Sequence, residues 1–339
     1  MRIAQISPLY ESVPPKGYGG TERVVSWLTE SLIDMGHELT LFASGDSQTQ
    51  AHLVPCAPSA LRLAPERHDP IGTHLLMLER AFESAQEFDV IHCHVDYLAF
   101  PFARRAKQPV ITTLHGRLDL PVLQPMFREY REQRVISISD HQRRPLPHAR
   151  WERTIHHGLP PELFEFHPEP DDYLAFLGRI SPEKRVDRAI EIAVRAGRRL
   201  KIAAKIDDAD RAYYESIKHL FAHPLVEYVG EVGDGDKNEF LGHAAAVLFP
   251  IDWPEPFGLI MIESLACGTP VIAWPEGSVP EVIEPGVSGF LCEDVDGAVN
   301  AVHDVAKLDR QRCRDAFEAR FTAERMANDY AAVYRRLCA

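Results

Sequence analysis

Short, wholly apolar runs alternate with segments of helical period along this chain, and the pattern occurs twice. In the first half the runs are RIAQIS (2–7), ELTLFAS (38–44), DVIHCH (89–94), PVITTLH (109–115) and VISIS (135–139). In the second they are YLAFLGR (173–179), LKIAAK (200–205), VEYVGE (226–231), AVLFP (246–250), PVIAW (270–274) and GFLCE (289–293). A run with no polar face suits a strand covered on both sides. Between runs the period lengthens: Val24, Val25, Leu28, Leu32 and Met35 share one face of 21–35, and Gly36 supplies a stop. Further helices are expected near 184–196, 208–222, 235–245, 258–267 and 294–306. Strand–helix alternation predicts α/β domains with parallel sheets. The Pro- and acid-rich stretch GLPPELFEFHPEPDD (158–172) reads as a linker. The expected division is therefore 1–158, a linker at 159–172, and 173–322. An amphipathic segment, 323–339, follows. Two doubly wound domains would place the carboxyl ends of both sheets at a cleft, where ligands bind in open α/β sheets.

Composition narrows the function. A formal net charge of −13 argues against a nucleic-acid partner and gives no general attraction to anionic membranes. The 6 cysteines include no CxxC pair, which fits reduced thiols and a cytoplasmic location. Residues 1–8 read as a strand rather than a signal peptide, and no run reaches the roughly 20 apolar residues of a membrane span. Arg104, Arg105 and Lys107 near Phe100 and Phe102, with an Arg-rich stretch at 128–153, raise peripheral membrane contact. Interleaved Glu129, Glu132 and Asp140 favour a solvated face instead.

Four places carry candidate chemistry. In EPFGLIMIE (255–263), Glu255 stands between Pro254 and Pro256, and Glu263 lies about two turns into a helix beginning near Gly258. A helix N-terminus offers unpaired N–H groups and partial positive charge, which suit a phosphate. Glu263 can reach hydroxyls beside it, so a nucleotide sugar fits. In FLGRISPEKR (176–185), Arg179, Lys184 and Arg185 gather at a helix start, where cations oppose the dipole unless an anion sits among them. Gly19 and Gly20 precede the first helix and allow close backbone approach. His115 ends a strand beside Gly116. His92, His94 and Asp96 in HCHVD have the spacing of metal ligands, yet alternate strand residues share a face for ordinary reasons. No metal is expected. The Asp-x-Asp pairs at 208–210, 234–236 and 294–296 precede helices and read as caps. GxGxxG, GxSxG, GxxxxGK[ST] and HExxH are all missing.

These residues together resemble the retaining glycosyltransferases of family 4, with the two-domain GT-B fold. GGTERVV, GRISPEK, EPFGLIMIE, CGTPVIA and VPEVIEPGVSGFL stand in the family's order over nearly the whole chain. The resemblance implies an α/β GT-B architecture of two Rossmann-like doubly wound parallel-sheet domains facing a cleft. Residues 1–158 form the acceptor side, joined by a final helix (323–339), and 173–322 the donor side. It implies that Glu255 contacts donor-sugar hydroxyls, Glu263 the ribose, and Arg179 and Lys184 the diphosphate. Backbone around Phe257, Gly258, Leu259 and Ile260 assists. Gly19 and Gly20 let a loop close over the phosphates, and His115 touches the sugar. Two departures lie near the expected donor: only Gly277 of a glycine pair remains in Glu276-Gly277-Ser278, and KID (205–207) replaces a glycine-containing turn.

The expected reaction moves a sugar from a nucleotide-diphosphate sugar (a UDP-sugar first, a GDP-sugar second) to an acceptor hydroxyl with retention. No cofactor is expected beyond the nucleotide-sugar co-substrate. The acceptor class stays open among sugars, lipid-linked molecules and small molecules, and the oligomeric state is open as well. The rival readings are a nucleotide-sugar epimerase or hydrolase on the same fold, and a non-catalytic binding protein.

Overall fold

A computed structural model describes residues 1–64 and 69–339, with the side chain of Asp234 also outside the described set. The chain divides into two compact units, residues 1–160 with 323–339, and residues 161–322.

The first unit is built on a seven-stranded sheet of β1 (Arg2–Ile6), β2 (Glu38–Ser44), β3 (His52–Ala57), β4 (Val90–Cys93), β5 (Val110–Thr113), β6 (Arg134–Ser137) and β7 (Arg150–Thr154). The order is β3-β2-β1-β4-β5-β6-β7, and every pairing is parallel. Its central strands are the apolar runs of the sequence. The outermost strands, β3 and β7, are not among them. HLVPCA contains Pro55 and RWERT is mostly charged, because an edge strand is half-solvated and tolerates proline and charge. The helix Gly20–Asp34 ends in a Schellman motif: His37 N–H donates to Leu32 O at 3.1 Å and Gly36 N–H to Ile33 O at 2.8 Å, with Gly36 at φ 81°. A helix at Pro70–Glu83, unread in the sequence, covers one face through Met77, Leu78 and Ala81. It starts on an Asp69 cap, with Ile71 N–H donating to Oδ1 at 3.1 Å.

The helix Ala323–Cys338 belongs to this unit. Tyr330 and Tyr334 are fully buried, and the Tyr334 hydroxyl lies 2.6 Å from His92 Nδ1. Thr113 Oγ1 is 2.7 Å from His92 Nε2 and 2.9 Å from the Tyr330 hydroxyl. Both ring nitrogens of His92 are therefore engaged, and the HCHVD spacing has a packing explanation. Among the described residues no group of His, Cys, Asp or Glu is arranged to hold a metal.

The second unit carries β8 (Tyr173–Arg179), β9 (Arg199–Lys205), β10 (Val226–Gly230), β11 (Ala246–Phe249), β12 (Val271–Ala273) and β13 (Gly289–Leu291), in the parallel order β10-β9-β8-β11-β12-β13. All six match expected runs. The helix expected over 208–222 is broken into one α-helical stretch, Arg211–Ile217, between two 3-10 turns. Arg310 fastens part of the segment expected as a linker, donating to His167 O at 2.7 Å and to Gly242 O at 2.6 Å. Arg314 does the same through Phe164 O at 2.8 Å and Pro161 O at 3.0 Å.

Both sheets reverse direction of winding once, between β1 and β4 and between β8 and β11. Those switch points are where loops leave in opposite directions and a ligand finds a crevice. No described helix is long and apolar enough to cross a membrane. Two of the residues raised for membrane contact are engaged within the unit: Phe100 is fully buried, and Arg104 pairs with Glu129 at 2.8 Å and Glu132 at 2.7 Å while lying 4.0 Å from the Tyr130 ring centre.

Three buried imidazoles and the half-buried His115 make the first unit's stability pH-dependent. Burial lowers His92 and His115 to about 3 and holds His94 and His157 well below the ordinary 6.5. The unfolded chain then binds more protons than the native one below 6.5, so stability is fully present above that value and falls as pH drops toward 3. The urea midpoint, followed by circular dichroism, should fall clearly between about pH 7 and about pH 5. His92→Gln should show a shallower fall. Equal slopes in both proteins would remove His92 from this linkage.

Candidate donor site

At the second unit's switch point, β8 delivers Gly178 and Arg179, and the loop after β11 delivers Glu255. The helix Val186–Arg195 follows the β8 loop with Arg185 as its N-cap in the left-handed region, φ 53°. That conformation is rare for a side chain other than glycine and marks a loop held by its surroundings. Lys184, just before it, bonds Glu255 Oε2, which also accepts from Trp253 Nε1 at 3.1 Å. Glu255 is 8% exposed. A carboxylate this buried needs a cation and a second donor, and Lys184 and Trp253 supply them. Lys184 Nζ also lies 5.1 Å from the Trp253 ring centre and 5.5 Å from that of Phe249.

The sequence reading expected an anion among the cations. In this structure the protein's own carboxylates meet them. Arg179 contacts Glu183 at 2.5 Å, Asp210 at 3.1 Å and Asp207 at 4.0 Å. Arg185 pairs with Asp187 at 3.0 Å and Asp252 at 2.8 Å. Asp210 is thus a correction to the capping expectation: it is the N-cap of Arg211–Ile217 but makes no side-chain cap bond and faces Arg179. Asp294 does cap its helix, accepting from Gly297 N–H at 2.7 Å. The pair at 234–236 rests on Asp234, whose side chain lies outside the described residues. Within KID, Lys205 pairs with Asp207 at 2.8 Å.

The helix Leu259–Ala266 begins on Gly258 at φ 77°, ψ 76°, with no side-chain cap. Glycine is suited to that left-handed turn, and an uncapped start leaves helix N–H groups to be satisfied by something else. Leu259 and Ile260 are half-buried there, whereas the Phe257 side chain is buried edge-on to Phe321. Position 257 can offer a ligand only backbone. Glu263, 3% exposed, pairs with Lys237 at 2.9 Å. Lys237 escaped the sequence reading, since it lies 26 residues upstream on another helix and no spacing links the two. Trp253 escaped as well, although its place two residues before Glu255 was a local signal. Gly277, the glycine retained from the expected pair, sits at φ 62°, and a Cβ there would fall 2.3 Å from both N and O of Glu255. Ser278 N–H donates to Glu255 O at 2.9 Å, so this turn backs the Glu255 main chain.

In the first unit, Gly19 is the N-cap of Gly20–Asp34, extended at φ −179°, and a Cβ there would meet Pro15 Cβ at 2.9 Å. Its glycine is required by packing rather than by backbone angle. Glu22, buried in the first turn, has its carboxyl raised chiefly by burial, with Glu11 beside it adding to the effect. His115 follows β5, half-buried, with Nε2 2.9 Å from His94 Nδ1 and its ring stacked on His157 at 5.3 Å.

Two family models match the chain in succession. Residues 18–163 match Glycosyltransferase Family 4, and residues 163–319 match Glycosyl transferases group 1. The chain is 27% identical to a phosphatidyl-myo-inositol mannosyltransferase of Mycolicibacterium smegmatis, over 92% of this chain and 86% of that protein. In fold it is similar to sucrose-phosphate synthase from Thermosynechococcus elongatus, with a TM-score of 0.79 at 20% identity, covering 99% of this chain and 98% of the other. It is also similar to HepE of Anabaena in complex with UDP, with a TM-score of 0.74 at 18% identity, covering 99% and 100%. With two parallel Rossmann-like sheets and both family models in register with its two halves, the chain belongs to the family 4 glycosyltransferases of GT-B fold.

Proposed function

We propose that this glycosyltransferase takes its sugar from a nucleotide-diphosphate sugar, a UDP-sugar in the first instance, and transfers it to an acceptor hydroxyl with retention at the anomeric carbon. The observation that carries this reading is the convergence on one switch point of Lys184, Glu255, Arg179 and the uncapped helix start at Gly258. The UDP bound by HepE, a protein of the same fold, makes UDP the first choice; a GDP-sugar is the second. The acceptor is a sugar, a lipid-linked molecule or a small molecule.

In this reading Glu263 accepts from ribose hydroxyls, and the N–H groups at 258–260 meet phosphate oxygens. Charge on the diphosphate grows as it departs, and Lys184 and Arg179 are the cations that meet it. Both are matched by carboxylates of the protein, so a phosphate would compete with Glu183, Asp207 and Asp210 for Arg179. Glu255, freed from part of its bond to Lys184, would accept from donor-sugar hydroxyls. The departing phosphate oxygen takes the acceptor's proton, so the reaction needs neither a dedicated protein base nor a metal. For the first unit, taken by itself, the proposed ligand residues are His115, Gly19 and Gly20.

Calorimetric titration with UDP-, GDP- and ADP-sugars should show saturable binding for at least one, with a UDP-sugar tightest. Absence of binding across the panel would sink the reading. Lys184→Ala should abolish most transfer and cost about 1–3 kcal/mol of stability, because Glu255 loses its cation. Adding Glu255→Gln should recover much of that stability and none of the activity; recovery of both would make the pair purely structural. Gly277→Ala should cost at least about 1–3 kcal/mol for the left-handed backbone alone. It should reduce transfer far more than UDP affinity, since it displaces Glu255 and leaves Glu263 in place.

A further inference from the structure

We infer that Gln5 and His94 are positioning residues that hold His115 with a bare Nδ1 lone pair, so that His115 accepts a hydrogen bond from a hydroxyl of a sugar ligand at the first unit's strand ends. The inference rests on the reading above that His115 is a ligand residue of the first unit.

The three side chains form a lateral chain across β1, β4 and β5. Gln5 lies on β1 and is fully buried, opposite His92 of β4. His94 follows β4, also buried, with its backbone N–H donating to Ile6 O at 2.9 Å. Its Nε2 lies 3.1 Å from Gln5 Oε1, and its Nδ1 lies 2.9 Å from His115 Nε2. Burial keeps both imidazoles neutral at ordinary pH, so each ring carries one N–H. Gln5 Oε1 can only accept, which puts the His94 proton on Nε2. His94 Nδ1 is then a lone pair and must receive the His115 proton from Nε2. His115 Nδ1 is left as an acceptor, and that atom is buried with no hydrogen-bond partner.

A second unsatisfied acceptor adjoins it. The His115 backbone N–H donates to the Asp96 carboxylate, whose Oδ1 is buried without a partner. Asp96 stands at φ 49°, a conformation unfavourable for a residue with a Cβ. Buried acceptors without donors cost free energy. Two of them at neighbouring strand ends are what a ligand rich in hydroxyls would complete. The consequence is selectivity: a bare nitrogen accepts from a hydroxyl and gives no bond to a sugar lacking it at that position.

The test uses the full chain with 15N-labelled histidine and long-range proton–nitrogen spectra. The His115 resonances are assigned by their loss in His115→Gln. At neutral pH, Nδ1 of His115 should resonate as an unprotonated nitrogen and Nε2 as a protonated one. Gln5→Leu should shift the pair toward a tautomer mixture, and Gln5→Glu, which still accepts, should retain it. In titrations with UDP and UDP-glucose, Gln5→Leu and His94→Phe should lower the preference for UDP-glucose over UDP about tenfold. Gln5→Glu should keep that preference, and UDP affinity should stay unchanged throughout. A protonated His115 Nδ1 in the wild type, as the opposite orientation of the Gln5 amide would produce, overturns the inference. So does a Gln5→Leu protein with wild-type spectrum and wild-type preference. Failure of UDP and UDP-glucose to bind the wild type would count against the donor reading, with the spectrum still deciding the tautomer.

Discussion

The ion pair between Lys184 and Glu255 ties the loop after β8 to the loop after β11, and the candidate donor site takes its shape from that tie. Neither partner would be stable alone at this depth, since a buried charge without its counterion is costly. Trp253 supplies the second donor to Glu255, and the turn at Gly277 packs against its main chain. Glu255 is thereby held from the side-chain end by a cation and from the backbone end by a turn. The adjacent helix start at Gly258 remains uncapped.

The same logic runs through the rest of the second unit. Arg179, Arg185, Lys205 and Lys237 each meet a carboxylate of the same unit. Internal carboxylates thus balance each of these four cations. A diphosphate bound as proposed would exchange partners with them rather than fill a positively charged hole. The net attraction for a phosphate is correspondingly smaller than a count of cations suggests. The KID turn contributes to that exchange through Asp207, which a glycine at that place could not do.

The first unit solves a different problem. Its strand ends carry neutral polar side chains, imidazoles above all, linked to one another and to Tyr330 and Tyr334 of the last helix. These bonds give the HCHVD spacing a packing role: His92 uses both nitrogens on hydroxyls, and His94 uses its own on Gln5 and His115. They also make the unit sensitive to acid, since each ring is held in its neutral form by burial.

Local patterning made much of this legible. A strand buried on both faces must be apolar along its whole length, and most of the described strands are legible for that reason; β3 and β7, the Pro- and charge-containing edges of the first sheet, were invisible for the same physical reason. Motif spacing likewise singled out Glu255, Glu263, Arg179 and Lys184 as candidates, because loops at the ends of parallel strands carry ligand groups at predictable places. Which charge meets which was another matter. Lys184 and Glu255 are 71 residues apart, Lys237 and Glu263 are 26, and the Gln5–His94 link spans 89. Sequence periodicity acts over a turn or a strand, whereas these pairs form only when the sheet sets neighbouring strand ends side by side. Residue types and their order therefore determined the architecture and the candidates for the site, and the fold alone decided their partners, since partnership depends on separation in space.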